Sequence, residues 1–271
     1  MKGEKQTMRP LADFPPAERA RIRGVLCDID DTLTTDGRLT AAAYAALEKL
    51  QRADMLVVTI TGRPAGWCDH IARMWPVDAV VGENGAFYFR YDHAARNMQR
   101  RFILSAEQRA ANRVRLAAIQ NRILAAVPGC AVASDQHYRE ADLAIDYCED
   151  VPRLSADAVD KIVALMQEAG LTAKVSSIHV NGWFGAYDKL AMTRTLMREC
   201  FGTDLDAQRD EFVFAGDSPN DAPMFAHFPH AVGVANIKAF AGRIVAGPAY
   251  VTQAESGAGF CELVDFLLAS R

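Results

Sequence analysis

The hydrophobic and polar positions along this chain form a repeating pattern at both ends and a different one in the middle. Val25 to Ile29, Met55 to Ile60, Ala79 to Val81 and Glu211 to Ala215 are short, largely apolar runs with little alternation. Runs of this kind suit parallel strands covered on both faces. Helical patterns lie between them. Thr40 can cap a helix through Leu50, a second runs from near Gly66 to Met74, and Lys189 to Cys200 is a third, stopped near Gly202. Pro219 to Phe228 reads as a fourth, with Pro at its start. Short strands near Ala231 to Val234 and Tyr250 to Thr252, then a helix from Phe260 to Leu268, finish the series.

In the middle the order changes to helix, strand, strand, and occurs twice. Ala106 to Val127 is a long helical segment closed by Pro128-Gly129, followed by β-like runs at Ala131 to Ser134 and Asp142 to Tyr147. Ser155 to Ala169 is a helix ended by Gly170, followed by strands at Thr172 to Ser176 and Ser177 to Phe184. The predicted fold class is therefore α/β, a Rossmann-like parallel-sheet core with an inserted α+β domain. The expected boundaries are a flexible N-terminal segment over 1–20, a core from 21–91 and 187–271, and an insert over 92–186.

Composition narrows the partners. The 271 residues are 50% hydrophobic and 24% charged, as in an ordinary globular enzyme. A formal net charge of −4 and the lack of a long basic run argue against nucleic acid or an anionic membrane as partner. The basic stretch from Arg96 to Arg101 is short and reads as a solvated face. Six cysteines show no Cys-x-x-Cys spacing, so neither a zinc site nor a redox motif is indicated. With no apolar stretch of membrane-spanning length and no apolar signal region at the N-terminus, a cytoplasmic protein, monomeric or homodimeric, is expected.

The candidate chemistry begins with two acid clusters at predicted strand ends, Asp28-Ile29-Asp30-Asp31-Thr32 and Gly216-Asp217-Ser218-Pro219-Asn220-Asp221. Carboxylates brought together repel unless a cation neutralises them, and Mg²⁺ fits oxygen donors of this kind. Mg²⁺ and clustered acids point to phosphoryl chemistry. Either cluster alone also reads as a turn with helix caps, since Asp side chains bond nearby backbone N–H groups.

Asp28-x-Asp30-x-Thr32, Ile60-Thr61-Gly62-Arg63, Lys189 at a helix start and Gly216-Asp217-Ser218-x-Asn220-Asp221 together resemble the four ordered motifs of the haloacid dehalogenase superfamily of phosphohydrolases. The insert between the second and third motifs, with Glu83-Asn84-Gly85 before it, is similar to the type 2B cap of a subgroup that includes sucrose-phosphate and mannosylglycerate-phosphate phosphatases. The resemblance implies that Asp28 is the nucleophile and Asp30 the general acid and base. It implies that Thr61, Gly62, Asn84, Lys189 and Asn220 bind phosphate, and that Asp28, Asp217, Asp221 and the backbone carbonyl of Asp30 hold Mg²⁺. Arg63 either binds substrate or pairs with a nearby acid. The chain departs from the family where Leu190 follows Lys189 in place of the usual Gly.

Substrate choice is expected in the insert. Strand alternation puts Ser177, His179, Asn181 and Trp183 on one face, and Ile178, Val180 and Phe184 on the other. If the polar face covers the site, His179 and Asn181 can bond hydroxyls while Trp183 stacks on a sugar ring; otherwise the strand has a solvated face. Arg139, Glu140 and Asp142 read as a surface salt-bridge cluster. The expected function is a Mg²⁺-dependent phosphomonoester hydrolase acting through an aspartyl-phosphate on a small phosphorylated metabolite, a sugar phosphate first. The alternatives are a phosphosugar mutase of the phosphomannomutase kind and a non-catalytic binding protein of the same fold.

Overall fold

The apolar runs become strands with no wet face. In the computed structural model, which describes residues 8–240, 242 and 244–269, the first half of the core contains β1 (Arg9–Pro10), α1 (Pro16–Arg19), β2 (Gly24–Cys27) and a β3–β4 hairpin (Thr34–Thr35, Arg38–Leu39). It continues through α2 (Ala41–Arg52), β5 (Leu56–Ile60), α3 (Ala65–Met74), β6 (Ala79–Gly82), β7 (Phe87–Asp92) and β8 (Asn97–Phe102). The insert follows as α4 (Ala106–Ala126), β9 (Ala131–Val132), β10 (Asp142–Asp146), α5 (Ala156–Glu168), β11 (Thr172–Val175) and β12 (His179–Trp183). The chain returns to the core through α6 (Lys189–Phe201), β13 (Phe212–Gly216), α7 (Ala222–His227), β14 (Val232–Gly233), β15 (Tyr250–Val251) and α8 (Ser256–Leu268).

The core sheet has nine strands in the order β1-β15-β14-β13-β2-β5-β6-β7-β8. From β1 to β6 the pairs are parallel, and β7 and β8 are added antiparallel. Strand β2 lies where the order reverses, with β13 on one side and β5 on the other. In such sheets a ligand crevice opens at the carboxyl ends of the strands at that point. Cys27 is paired with both Ala215 and Thr59, so the segments that leave β2, β13 and β5 emerge side by side. Two apolar clusters cover the faces. One joins α2, α3 and α8 to the sheet, and the other joins α6 and α7 to it.

The insert is a separate layer. Its sheet runs β11-β12-β10-β9, and Leu143, Ile145 and Val180 point from it into a third cluster with Leu116 and Ile123 of α4 and Ile162 and Met166 of α5. The helices occupy that face, which leaves the opposite face, with Asp142, His179 and Asn181, for the core. Asp142 and Asp146 lie across from Trp183 and His179, and Ala144 from Asn181. Among the described residues no helix is long and apolar enough to cross a membrane.

Two boundary expectations are corrected. Residues 1–7 of the expected flexible segment lie outside the described residues, but from Arg9 the chain is docked. Strand β1 pairs with β15, Leu11 and Phe14 are buried, and the Phe14 ring stacks on Tyr250 and His230 at 4.8 Å from each. Leu11 and Phe14, set among polar residues, suffice to anchor a segment whose average composition looks loose. The insert also starts later than residue 92. Asn97–Phe102 pairs with β7 along its full length, so the hairpin extends the core sheet and the separate layer begins only afterwards. If the N-terminal segment is part of the core, Phe14→Ala should cost about 3 kcal/mol in urea unfolding. A loss within about 0.5 kcal/mol, typical of a surface change, would show that it is not.

Candidate active site

The three segments that emerge together carry the acids. Asp28 follows β2 and donates its N–H to Ala215 O at 2.9 Å, which ties the first cluster to the strand that leads to the second. Asp217 and Asp221 follow β13. One carboxylate oxygen of Asp221 folds back on the Asp217 and Ser218 N–H groups at 3.1 and 3.3 Å, and its other oxygen lies 2.7 Å from Lys189 Nζ. Lys189 Nζ also donates to Asp28 at 2.7 Å. Asp188 caps α6 by accepting from the Ala191 N–H at 2.8 Å, which fixes where the lysine starts the helix. Gly85 lies at φ +104 against the Asp188 carbonyl, where a Cβ would overlap it. The turn at Asn84-Gly85 is thus what lets Lys189 approach.

Asp28, Asp217 and Asp221 are all buried, and one carboxylate oxygen from each lies within 4.8 Å of the others. Three carboxylates face one ammonium. Burial pushes the Asp28 carboxyl up to about 8; Lys189 opposes this, and Asp221 and Asp30 add to it. Burial, with the charges of Asp28 and Asp221, also raises Asp217 well above the usual carboxylate range. Burial alone would lower Lys189, but Asp221 and Asp28 outweigh it and hold the ammonium protonated. An oxygen-only donor set with this excess of negative charge fits Mg²⁺. Thr32 Oγ1 donates to Asp217 at 3.2 Å and Asn236 Nδ2 lies 3.4 Å from its other oxygen, so Asp217 is held in place. The Asp30 carboxylate is bonded to Arg63, so its backbone carbonyl, the atom expected in the metal set, is the candidate ligand.

Donors gather beside Asp28. The Thr61 hydroxyl accepts from Arg63 N–H at 3.0 Å and keeps its own proton to give. Gly62 is close to the Asn84 and Asn181 side chains, with Cβ-to-atom distances of 3.2 and 3.6 Å for a hypothetical methyl. Asn84 sits at φ 54, its Oδ1 accepts from Asn220 at 3.4 Å, and its buried Nδ2 has no partner. A buried, unpartnered amide N–H next to a lysine is a donor awaiting an anion.

The cap side is built from ion pairs that sequence patterning did not find. Arg63 Nε lies 2.9 Å from Asp30, Nη2 lies 2.6 Å from Glu149, and Nη1 lies 3.4 Å from Asp135. Of its two expected readings, pairing with acids is what the structure shows. Asp146 makes this possible, because its carboxylate accepts the N–H groups of Cys148, Glu149 and Asp150 and folds the turn that presents Glu149. His179 Nε2 is 2.8 Å from Glu149, off the hydrogen-bond line. Arg139 and Asp142 are fully buried, contrary to the expected surface cluster; only Glu140 stays half-exposed, near Arg109 and Arg113. Arg139 pairs with Asp135 and Asp142 and donates to Gly62 O at 2.8 Å, reaching from the cap to the phosphate loop. Asp142 accepts from Asn181 at 3.0 Å. Glu83 was also missed. At φ 43 it accepts N–H groups from Ala65, Glu140, Ala141 and Asp142, between 2.6 and 3.3 Å, and so ties the core to the cap backbone.

His179 and Asn181 line a small cavity with Asp28, Asp30, Gly62 and Asn220. Trp183 does not. Its ring stacks on Tyr187 at 5.7 Å, its Nε1 donates to Tyr187 O at 3.2 Å, and only 1% of it is exposed. It packs into the core cluster, so the sugar-stacking role expected of it is withdrawn. The alternation correctly put Trp183 on the face toward the core. Packing against Tyr187 buried it there. The cavity holds about 10 Å³, room for roughly one water.

Residues 25–113 match the family model of haloacid dehalogenase-like hydrolases. Similar solved structures span nearly the whole fold. A Thermoplasma acidophilum protein is 18% identical with a TM-score of 0.67, covering 91% of this chain and 98% of its own. The sucrose-phosphatase of Synechocystis sp. PCC6803, solved with sucrose and phosphate, is 15% identical with a TM-score of 0.62 and the same coverages, 91% and 98%. A haloalkanoate-superfamily phosphatase from Bacteroides thetaiotaomicron is 19% identical with a TM-score of 0.60, covering 94% and 98%. At these identities the likeness is one of fold, and no curated protein matches the chain. Over residues 25–113 the chain is similar to haloacid dehalogenase-like hydrolases, and its fold is shared with these structures along nearly its whole length. The candidate site, where the four motifs converge, lies at the carboxyl end of β2.

Burial alone would raise Glu149, but His179 and Arg63 outweigh it and hold its carboxyl down at about 2, below the ordinary 4.5. A carboxylate depressed on folding contributes stability that is full above about 4.5 and is lost as pH falls towards about 2. Urea unfolding of the wild type should therefore lose about 1 kcal/mol more between pH 6 and pH 3 than that of Glu149→Gln, the full linkage value being about halved by solvent screening of a partly exposed carboxylate. Parallel pH curves for the two proteins would show that the Arg63–Glu149–His179 contact contributes nothing.

Proposed function

We propose that the chain is a Mg²⁺-dependent phosphatase acting on a small phosphorylated metabolite of the cytoplasm, with sugar phosphates as the first class to test. The observation that carries the reading is the convergence of Asp28, Lys189, Asp217 and Asp221, brought from distant segments to within hydrogen-bond or metal-ligand range of one another. An inert scaffold would gain nothing from burying three acids together. The sugar class draws support from the sucrose-phosphatase of the same fold and from His179 and Asn181, polar groups of the cap placed over Asp28.

In this reading an Asp28 oxygen attacks phosphorus in line with the ester oxygen. The P–O ester bond breaks, and Asp30 gives its proton to the departing alkoxide. The product on the protein is an aspartyl-phosphate. Asp30, now a carboxylate, takes a proton from water as the water attacks phosphorus, the P–O bond to Asp28 breaks, and inorganic phosphate leaves. Lys189 keeps a positive charge beside Asp28 throughout, and the Thr61 hydroxyl with the Asn84 amide offers donors to the phosphoryl oxygens. Mg²⁺, held by Asp28, Asp217, Asp221 and the Asp30 carbonyl, would neutralise the charge of the transferring group. Arg63 orients the Asp30 carboxylate and connects it to the cap.

The test is inorganic phosphate release from a panel of sugar phosphates with Mg²⁺, with EDTA, and in Asp28→Asn. Release is expected to need Mg²⁺ and to fall at least about a thousandfold in the variant. Undiminished release in Asp28→Asn would remove Asp28 as nucleophile. Conversion of mannose 1-phosphate to the 6-phosphate without free phosphate would make the enzyme a mutase.

A further inference from the structure

Asp30 borders two cavities, and only one of them is the small space over Asp28. The other is a groove of about 500 Å³, a size that suits a small ligand. Its walls are Ile29 and Leu39 beside the β3–β4 hairpin, Trp67 and Ile71 on α3, Trp75 just after α3, and Tyr138 from the cap. All but Tyr138 belong to the core, so the groove persists wherever the cap stands. Trp67 and Tyr138 are 41% and 50% exposed, a large aromatic surface left against water next to a charged side chain. Such patches mark binding surfaces more often than neutral ones.

We propose that this groove holds the leaving alcohol of the substrate, and that it selects an alcohol whose ring presents an apolar face. The proposal rests on the phosphatase reading, because it is the ester oxygen bound to Asp30 that joins the two cavities. Arg63 sets the geometry. Its guanidinium stacks on the Trp67 ring at 4.4 Å while it binds Asp30, so one side chain fixes both the acid and the aromatic wall. A group that takes a proton from Asp30 thus emerges beside Trp67.

The chemistry of the walls names the class. Apart from Asp30, the polar side-chain groups are Thr34, the exposed His70 and the ring-edge hydroxyl and N–H groups of Tyr138, Trp67 and Trp75, and the Thr34 hydroxyl is already used, accepting from Asp31 N–H at 3.0 Å and lying 3.3 Å from Ile29 O. An open-chain polyol placed here would give up bonds to water with few to replace them. A ring can lay an apolar face on indole and phenol while its polar edge stays wet. The face can belong to an aromatic ring or to the C–H side of a sugar. Aromatic stacking on the substrate is thereby supplied by α3 and the cap turn, in place of the β12 tryptophan that is locked against Tyr187.

The experiment compares 2-naphthyl phosphate, glucose 6-phosphate and glycerol 3-phosphate in the wild type, Trp67→Ala and Tyr138→Ala, with kcat/KM from phosphate release and Kd from calorimetry. Each variant is expected to lower the ring-to-glycerol ratio of kcat/KM and of affinity about tenfold, mainly through KM. Tyr138→Ala removes an exposed cap side chain and tests the groove without disturbing Arg63. The naphthyl and glucose arms tell which kind of ring is favoured. Equal losses on ring and glycerol esters, or unchanged ratios in both variants, would overturn the proposal. If no ester is hydrolysed, the phosphatase reading fails instead, and the ratio of affinities still decides the groove.

Discussion

Lys189 is buried between Asp28 and Asp221 at 2.7 Å from each, and the molecule is arranged around the need to keep that triad intact. A buried ammonium without partners would shed its proton, and a buried carboxylate without partners would take one up. Here the two acids hold Lys189 protonated, and Lys189 offsets part of the rise that burial imposes on Asp28. The pairing needs β2 and β13 side by side so that the acids meet, α6 starting at Lys189, and a glycine at position 85 so that the α6 start can come close. With Asp217 the group sets three carboxylates against one ammonium, two charges short of balance when all are ionised. That deficit is the physical case for a bound cation.

The same rule governs the contact between core and cap. Arg63 and Arg139 are each buried, and each is surrounded by carboxylates from both layers or by backbone oxygen of the other one. Removing one partner from such a network leaves an uncompensated charge, so the pairs act less as glue than as a register between the two layers. Glu83 adds a second fixed point, with its carboxylate on three successive cap N–H groups. The acid that would protonate the leaving group is therefore oriented by the contact that closes the cap. Site geometry and cap position are joined through one guanidinium.

This coupling also divides the labour of recognition. The enclosed side over Asp28 is lined by charged and amide groups that suit a phosphoryl group, whereas the far side of Asp30 opens on aromatic rings. Polar groups are concentrated around Asp28, and apolar surface lies on the far side of Asp30.

Much of this was legible in the chain. Parallel strands buried on both faces must be apolar throughout, so β2, β5, β6 and β13 stand out, and the residues after them fall at one edge of the sheet. Motif spacing therefore located Asp28, Thr61, Lys189 and Asp217, and the β12 alternation located the face that carries His179 and Asn181. Long-range ion pairs leave no such period. Asp135, Arg139 and Glu149 look like surface charges, because what buries them is the docking of one layer on another, and Trp183 faces the expected way yet is sealed by Tyr187. Phe14 likewise anchors a segment through a partner more than two hundred residues away. Local sequence determined the elements, their faces and the sheet edge where the acids gather, since these follow from backbone hydrogen bonding and burial along one segment. Which charges are paired, which aromatic is free and how the cap grips the acid were decided only by the tertiary structure, since each depends on what an unrelated segment brings opposite.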